Sequence, residues 1–255
     1  LPVHLPGMIR IRGLRKRLGR RQVLDGVDLD VPTGCTLVVL GRSGTGKSVL
    51  LKHIIGLMQP DEGTIEVDGQ VMTGLHERDL NEVRKRFGML FQGSALFDSM
   101  SVGENVALPM REHTNMDEAA IHARVAERLE WVGLPGVEEM KPASLSGGMR
   151  KRVGLARAIA MDPAYILYDE PTTGLDPIMS DVINRLIRSL QARIGVTSIV
   201  VTHDLHSAWT VGDRIAMLHE GRVVFSGTTS EARETADPVV RQFIEGNSEG
   251  PLQAV

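Results

Sequence analysis

The residues best suited to chemistry are the eight from Gly41 to Ser48, GRSGTGKS, which fit the pattern G-x-x-x-x-G-K-[ST]. An apolar run, Thr36 to Leu40, precedes them, and an apolar-periodic run, Val49 to Met58, follows. Strand, glycine loop and helix form the context that this motif requires. Glycine lets the backbone turn tightly and bring its N–H groups up to phosphate oxygens, and the helix adds the positive end of its dipole. Gly41, Arg42, Ser43, Gly44, Thr45, Gly46, Lys47, Ser48 and Val49 are therefore expected to cradle a nucleoside triphosphate. Lys47 reaches the outer phosphates, and Ser48 offers its hydroxyl to a magnesium ion.

Two further apolar runs end in residues able to act on a phosphate. Tyr165 to Tyr168 leads into Asp169-Glu170, and Thr197 to Thr202 leads into His203. Ligands of open α/β sheets sit outside the carboxyl ends of the strands, so the three clusters are expected to converge on one nucleotide. Asp169 suits a second ligand on the magnesium side, and Glu170 the general base that polarises the attacking water. A lone Asp-Glu pair is usually a solvated loop and a lone histidine usually structural; position at a strand end favours the catalytic reading. His203 there can hydrogen-bond the terminal phosphate. In Leu145 to Met149, LSGGM, Ser146 can cap the helix that follows, while Gly147 and Gly148 open its first turn to an anion. A plain Ser-capped helix start would read the same way.

These residues need elements to hold them. Residues 8 to 31 alternate apolar and polar, with Ile9 and Ile11 against Arg10 and Arg12, and Val27, Leu29 and Val31 against Asp28 and Asp30. Gly63 to Val71 repeats the pattern around an Asp-Gly turn signal, so a small antiparallel sheet is expected beside the phosphate-binding core. Seven residues between Arg10 and Arg21 are Arg or Lys. They fit a phosphate-binding patch, or the solvated face of an edge strand and its turn, which the balanced charge favours. His76 to Arg86 reads as a helix and Phe87 to Phe91 as a short strand ending at Gln92. Ser101 and Glu104 make a capping box for a helix to about Arg111; Asp117 opens another that ends near Gly133, and Gly147 to Ala160 is a third. Ile178 to Arg193 is a long amphipathic helix, and Arg214 to Leu218 with Arg222 to Phe225 a hairpin about Glu220-Gly221. Two short helical patterns and a polar tail follow.

The expected fold class is α/β, with a phosphate-loop core (8–92 and 161–227), the small antiparallel β-subdomain, a helical subdomain (93–160) and C-terminal helices and tail (228–255), all within one domain over 1–255. At 42% hydrophobic and 24% charged, the chain has ample core. A net charge of -3 leaves no electrostatic footprint for nucleic acid. Cys35 stands alone, so no internal disulfide is expected, and its place before an apolar strand suits a buried thiol. No apolar run approaches the roughly 20 residues that span a bilayer, and no secretory signal is visible, so the chain reads as cytosolic. Any membrane role would then come through a partner.

LSGGM between GRSGTGKS and YILYDEP, with Gln92 and His203 placed as they are, resembles an ABC ATPase over nearly the whole chain. The resemblance implies ATP and Mg2+ as ligands. It implies a head-to-tail homodimer in which Ser146, Gly147 and Gly148 of one subunit close over the nucleotide on the phosphate loop of the other. Gln92 matches the glutamine that touches the magnesium and links the core to the helical subdomain. Asp176, in TGLDP, matches the loop that couples the two sites. Where the family usually stacks an aromatic residue on adenine, just before Gly19, this chain has Leu18. Adenine would then be held by apolar contact alone.

A narrower resemblance lies in FQGSALFDSMSVGENVALPMREHT, LYDEPTTGLDPI and DPVVRQFIEGNSEGP, which are similar to the ATPases of MCE transporters, the Mla-type systems that move phospholipids between bacterial membranes. It implies an integral membrane permease, a periplasmic MCE lipid-binding protein and a small STAS-domain protein as partners, and a place on the cytoplasmic face of the inner membrane. The permease would dock just after Gln92, where Leu96, Phe97, Met100 and Val102 carry few charges. The alternatives are a soluble ABC-type ATPase without a permease, such as an iron–sulfur assembly ATPase, and the ATPase of another importer.

Overall fold

The structure, a computed structural model, describes residues 8–252. The expected domain over 1–255 extends past these at both ends, so its outermost residues lie outside the description. Packing divides the chain into two compact units, one of residues up to 76 and from 199 onward, the other of 77–198.

In the first unit, β1 (Ile9–Leu18) and β2 (Arg21–Val31) pair antiparallel. Ile9, Ile11 and Leu14 bury one face of β1 against the core. Register shifts beside Gly13, whose φ is +57°, bend the strand. With β4 (Glu62–Val67) and β5 (Gln70–Val71), they form a sheet in the order β2-β1-β4-β5. Asp68 and Gly69 turn between β4 and β5 with φ +51° and +82°, the left-handed pair that a two-residue hairpin requires. The expected small antiparallel sheet is present, but β1 is not an edge strand. It lies between β2 and β4, and its basic residues are met by carboxylates: Arg10 by Glu66, Arg12 by Asp30, Arg15 by Asp25 and Lys16 by Asp61. Four of the seven are therefore ion-paired, three of them across strands, on a face that stays partly solvated.

The second sheet of this unit contains β3 (Thr36–Leu40), the last residues of β8 (Thr197–Thr202), β9 (Arg214–His219) and β10 (Arg222–Thr228), in the order β10-β9-β3-β8. All five residues of β3 are buried, as a strand in the middle of a sheet demands. Glu220 and Gly221 close the expected β9–β10 hairpin with φ +47° and +75°. A Cβ on Gly221 would lie 2.7 Å from the Val23 carbonyl oxygen, so only glycine lets this tip meet β2. Helix α1 (Lys47–Ile54) follows β3 and ends before the expected Met58, because Gly56 takes φ +71°. Helix α7 (Leu205–Val211), capped by Asp204, was not legible in the sequence. Helices α8 (Thr229–Glu234) and α9 (Pro238–Glu245) follow β10. Leu252 packs with Met217 and Val240, and Gln242 exchanges two hydrogen bonds with its backbone. Cys35 is half-buried ahead of β3, not fully buried as expected.

The second unit contains α2 (Glu77–Arg84), β6 (Phe87–Leu90), α3 (Val102–His113), α4 (Glu118–Trp131), α5 (Gly147–Ala158), β7 (Tyr165–Asp169) and α6 (Pro177–Ile194). Ser101 and Glu104 form the expected capping box, and Asp117, Ser146 and Asp176 cap α4, α5 and α6. Strands β6 and β7 pair in parallel, Phe87 opposite Tyr165. A Cβ on Gly88 would lie 2.1 Å from the Ala158 carbonyl oxygen, so α5 sits hard on β6. That contact, with the β6–β7 pairing, groups these strands with the helices, whereas the sequence reading drew a boundary at 92/93. Among the described residues, no helix is long and apolar enough to cross a membrane.

Candidate functional site

In the first unit the phosphate loop runs from the end of β3 into α1. Gly46 caps α1 with φ +104°, and a Cβ there would meet the Val23 carbonyl oxygen at 3.0 Å. A Cβ on Gly41 would lie 2.5 Å from the Leu218 carbonyl oxygen. Glycine is thus required at both ends of the loop, at one for its left-handed backbone and at both for close packing. Lys47 is 5% exposed, and its ammonium donates to the Gly41 and Arg42 carbonyl oxygens at 2.8 and 3.0 Å. The charge is thereby folded inward over the loop that is expected to hold phosphate. Thr45 Oγ1 donates to the Arg42 carbonyl at 2.9 Å, and the exposed Ser43 and Gly44 form the tip. Ser48 and Val49 lie half-buried in the first turn of α1. Arg21, which the sequence reading did not single out, donates from Nη2 to the Gly44 carbonyl at 2.9 Å and ties the tip to β2.

His203 is exposed just past β8. With Arg42 of the loop it lines one cavity of about 340 Å³, walled on its other sides by Leu205 and by Gln242, Phe243 and Asn247. The structure therefore brings two of the expected clusters to one concavity within this unit. Leu18 is 43% exposed where β1 turns into β2, with Gly19 beside it at φ +59°. That exposure leaves part of its side chain open to apolar contact with a base.

In the second unit Asp169, 7% exposed, ends β7, and Glu170 follows at φ +48°. A non-glycine residue in the left-handed region is strained, and such strain persists where surroundings over-determine it. Thr173 supplies part of that: its amide donates to the Glu170 carbonyl at 3.2 Å and its hydroxyl to Oε2 at 3.3 Å. Gln92 is exposed two residues beyond β6. The buried ammonium of Lys151 donates to the Gln92 and Glu170 carbonyl oxygens. Burial pushes the Lys151 pKa down, while the Asp169 and Glu170 carboxylates pull it up. Arg157, two turns further along α5, donates to the Ser94 and Ala95 carbonyls at 2.7 and 2.8 Å.

Ser146 accepts from the Met149 amide at 3.2 Å, and Gly147 and Gly148 open α5 as expected. A Cβ on Gly148 would lie 2.5 Å from Met179 Cε, and one on Gly147 3.6 Å from Leu175. The LSGGM loop therefore packs against the segment around Asp176, whose carboxylate accepts from the Ile178 and Met179 amides. These neighbours were read separately in the sequence. Lys151 and Arg157 were missed, and Arg21 was read only as one of a basic cluster, because donors to backbone carbonyls leave no motif. The one signal in the sequence was the cations at 151 and 157 flanking the uncharged run Val153-Gly154-Leu155-Ala156.

Of the site residues, Ser48, Gln92 and Asp169 offer a hydroxyl, an amide and one carboxylate, hard oxygen donors that suit Mg2+ shared with phosphate and water. Among the described residues, no group of three or more His, Cys, Asp or Glu side chains is placed to hold a metal alone.

The sequence profile of the family described as ABC transporter matches residues 24–173. The chain is 45% identical over 96% of its length to the "probable ribonucleotide transport ATP-binding protein mkl" of Mycobacterium leprae, covering 70% of it. It is 43% identical, over 96% of its length and 93% of the relative's, to the "intermembrane phospholipid transport system ATP-binding protein MlaF" of Haemophilus influenzae. A solved structure, the ATP-binding cassette MJ0796 as a dimer bound to ADP and Pi, superposes with a TM-score of 0.80 at 32% identity, over 86% of this chain and 98% of that one.

Proposed function

Because the chain belongs to the ABC transporter family, we propose that it is the ATP-hydrolysing motor subunit of a system that moves phospholipids between the inner and outer membranes. The observation that carries this is the 43% identity to MlaF over 96% of the chain and 93% of that relative. Family membership makes the chain an ATP-binding ATPase; the lipid, the partners and the residue roles are our reading.

In that reading the amides of Gly41 to Ser48 and the ammonium of Lys47 hold the phosphates. Ser48, Gln92 and Asp169 hold Mg2+, which when bound neutralises phosphate charge. Glu170 takes the proton of the attacking water as its oxygen bonds to the terminal phosphorus and the bond to the ADP oxygen breaks. His203 donates to the terminal phosphate. Ser146, Gly147 and Gly148 of a second copy close on the same nucleotide, with Asp176 beside them; the MJ0796 dimer supports this arrangement. An integral permease takes up the motion, with a periplasmic MCE protein and a STAS-domain protein as further partners, at the cytoplasmic face of the inner membrane.

Two measurements test the proposal. Co-purification from membranes should recover a polytopic permease; recovery of soluble partners alone would favour a permease-free ATPase. Glu170→Gln keeps size and loses the base, so it should bind ATP yet hydrolyse it roughly 10²- to 10⁴-fold more slowly. Unchanged turnover would remove Glu170 from that role. The name of the 45% identical mycobacterial relative favours a second reading, ribonucleotide transport. Deleting the chain should alter outer-membrane lipid distribution in the first case and ribonucleotide uptake in the second.

A further inference from the structure

Lys151 is a buried cation, beside Gln92 and Glu170, that the proposed mechanism leaves unused. It lies in the second turn of α5, the helix that LSGGM opens, and is 5% exposed. Its ammonium donates to the carbonyl oxygen of Gln92 and, at 3.3 Å, to that of Glu170. These two residues stand just past the ends of the parallel pair β6 and β7, where strand pairing has stopped. Glu170 is in the left-handed region, so its carbonyl is turned out of the line that β7 would continue. An ammonium carries three donors and no acceptor, so it can serve both carbonyls, that of Glu170 together with the Thr173 amide.

The helix is built to bring that ammonium into reach. Gly154, one turn beyond Lys151, has no side chain where a Cβ would meet Leu90 Cδ1 at 2.8 Å and Ser94 Cβ at 3.3 Å. Arg157, one turn further, donates to the carbonyls of Ser94 and Ala95. The three positions recur every three residues and face one segment, 90 to 95. Burying a cation is costly unless it is well partnered, so a lysine serving two backbone carbonyls is a poor choice for packing alone.

We infer that Lys151 is a positioning residue for hydrolysis, its ammonium tying the Gln92 segment and the Glu170 turn to the helix that begins at Ser146. This rests on the roles proposed above for Gln92 and Glu170. It touches neither nucleotide nor water; it fixes the backbone from which both side chains project. Closure of a second copy on Ser146 to Gly148 would then be felt at both residues through one rigid helix.

The test is Mg-ATP hydrolysis by the full chain in five forms: unmodified, Lys151→Met, Lys151→Gln, Glu170→Gln, and Glu170→Gln combined with Lys151→Met. Met keeps the length without a donor. It should lower kcat roughly 10- to 100-fold, the scale of a small misplacement, with KM for ATP within about twofold. Gln keeps an amide donor and should restore most of kcat. In the Glu170→Gln background, Lys151→Met should slow hydrolysis by clearly less than it does alone, because one of the two groups it positions, the Glu170 carboxylate, is gone. The inference is overturned if Lys151→Met turns over normally beside an impaired Glu170→Gln, if KM rises as kcat falls, or if Gln gives no rescue. Normal hydrolysis by Glu170→Gln would instead sink the underlying site reading, and this inference with it. Should Lys151→Met not fold, Lys151→Ala, which leaves room for water at the two carbonyls, replaces it throughout. Failure of both to fold would make Lys151 a structural residue and end the proposal.

Discussion

Leu18 shows how much one residue can change at this site. It is exposed at the turn where the family usually has an aromatic residue for adenine, and its branched side chain offers area without a π-face. ATP and GTP should therefore differ little in affinity. Leu18→Tyr should tighten ATP binding; stacking on an aromatic is worth about 1–3 kcal/mol per base in nucleic-acid complexes, and equilibrium titration of ATP would measure the gain. No change would mean that the base lies elsewhere. Glu170 is the opposite case, a residue whose type was readable and whose setting was not. Its left-handed backbone at φ +48° aims the carboxylate, and Thr173 holds it.

At the scale of elements, two contacts decide whether the site residues are held. The first is α5 on β6. A methyl on Gly88 would come within 2.1 Å of the Ala158 carbonyl oxygen, and both elements are buried there, so neither yields cheaply. Gly88→Ala should cost about 1–3 kcal/mol in chemical denaturation, whereas Gly93→Ala, with nothing within 4 Å, should cost far less. Equal effects would refute the packing argument. The second is the staple between β2 and β10, where Asp25 accepts from both Arg222 and Arg15. The Arg222 hydrogen bond leads in holding the Asp25 carboxyl below its usual pKa. A depressed carboxylate pKa adds stability that is complete above its unfolded value, about 4, and is lost as pH falls through the folded value. Asp25→Asn should therefore lower Tm at pH 7, and its deficit should close below about pH 4. A deficit that persists undiminished in acid would place the effect in packing rather than charge.

For the molecule as a whole, the question is how an ATPase acts on a membrane when, among the described residues, no helix is suited to span one. The segment after Gln92 is the surface we expect to dock the permease. Phe97 is 50% exposed, yet its backbone is fixed: its amide donates to Asn105 Oδ1 at 2.8 Å, and Asn105 Nδ2 returns a bond to its carbonyl at 3.1 Å. An aromatic ring held outward on a rigid loop suits helix-in-groove recognition. Leu96 and Met100 are half-buried beside it, but Val102 is fully buried in the first turn of α3 and belongs to the core, not to that surface. Phe97→Asp should leave the protein folded and able to bind ATP while releasing it from membranes, as fractionation would read. A folded variant that stays bound and supports normal lipid distribution would disprove docking there.

The sequence by itself determined the elements and the chemistry at their ends. GRSGTGKS needs glycines at fixed spacing, so its loop was readable as a string, and the same holds for the Ser101–Glu104 capping box, the β9–β10 turn and the strand ends at Asp169 and Thr202. These features depend on neighbours within a few residues, where spacing is itself geometry. Contacts between distant segments were decided by the tertiary structure alone. Nothing local says that β1 lies inside its sheet rather than at the edge, because alternation is the same in both places. Nothing local reveals α7, a helix of seven residues too short for a clear period. The meeting of Arg42 with His203, and of LSGGM with the Asp176 segment, also waited on the fold. So did Lys151: a lysine that serves two backbone carbonyls looks, as a letter in a chain, like any other lysine, because its partners are 59 and 19 residues away.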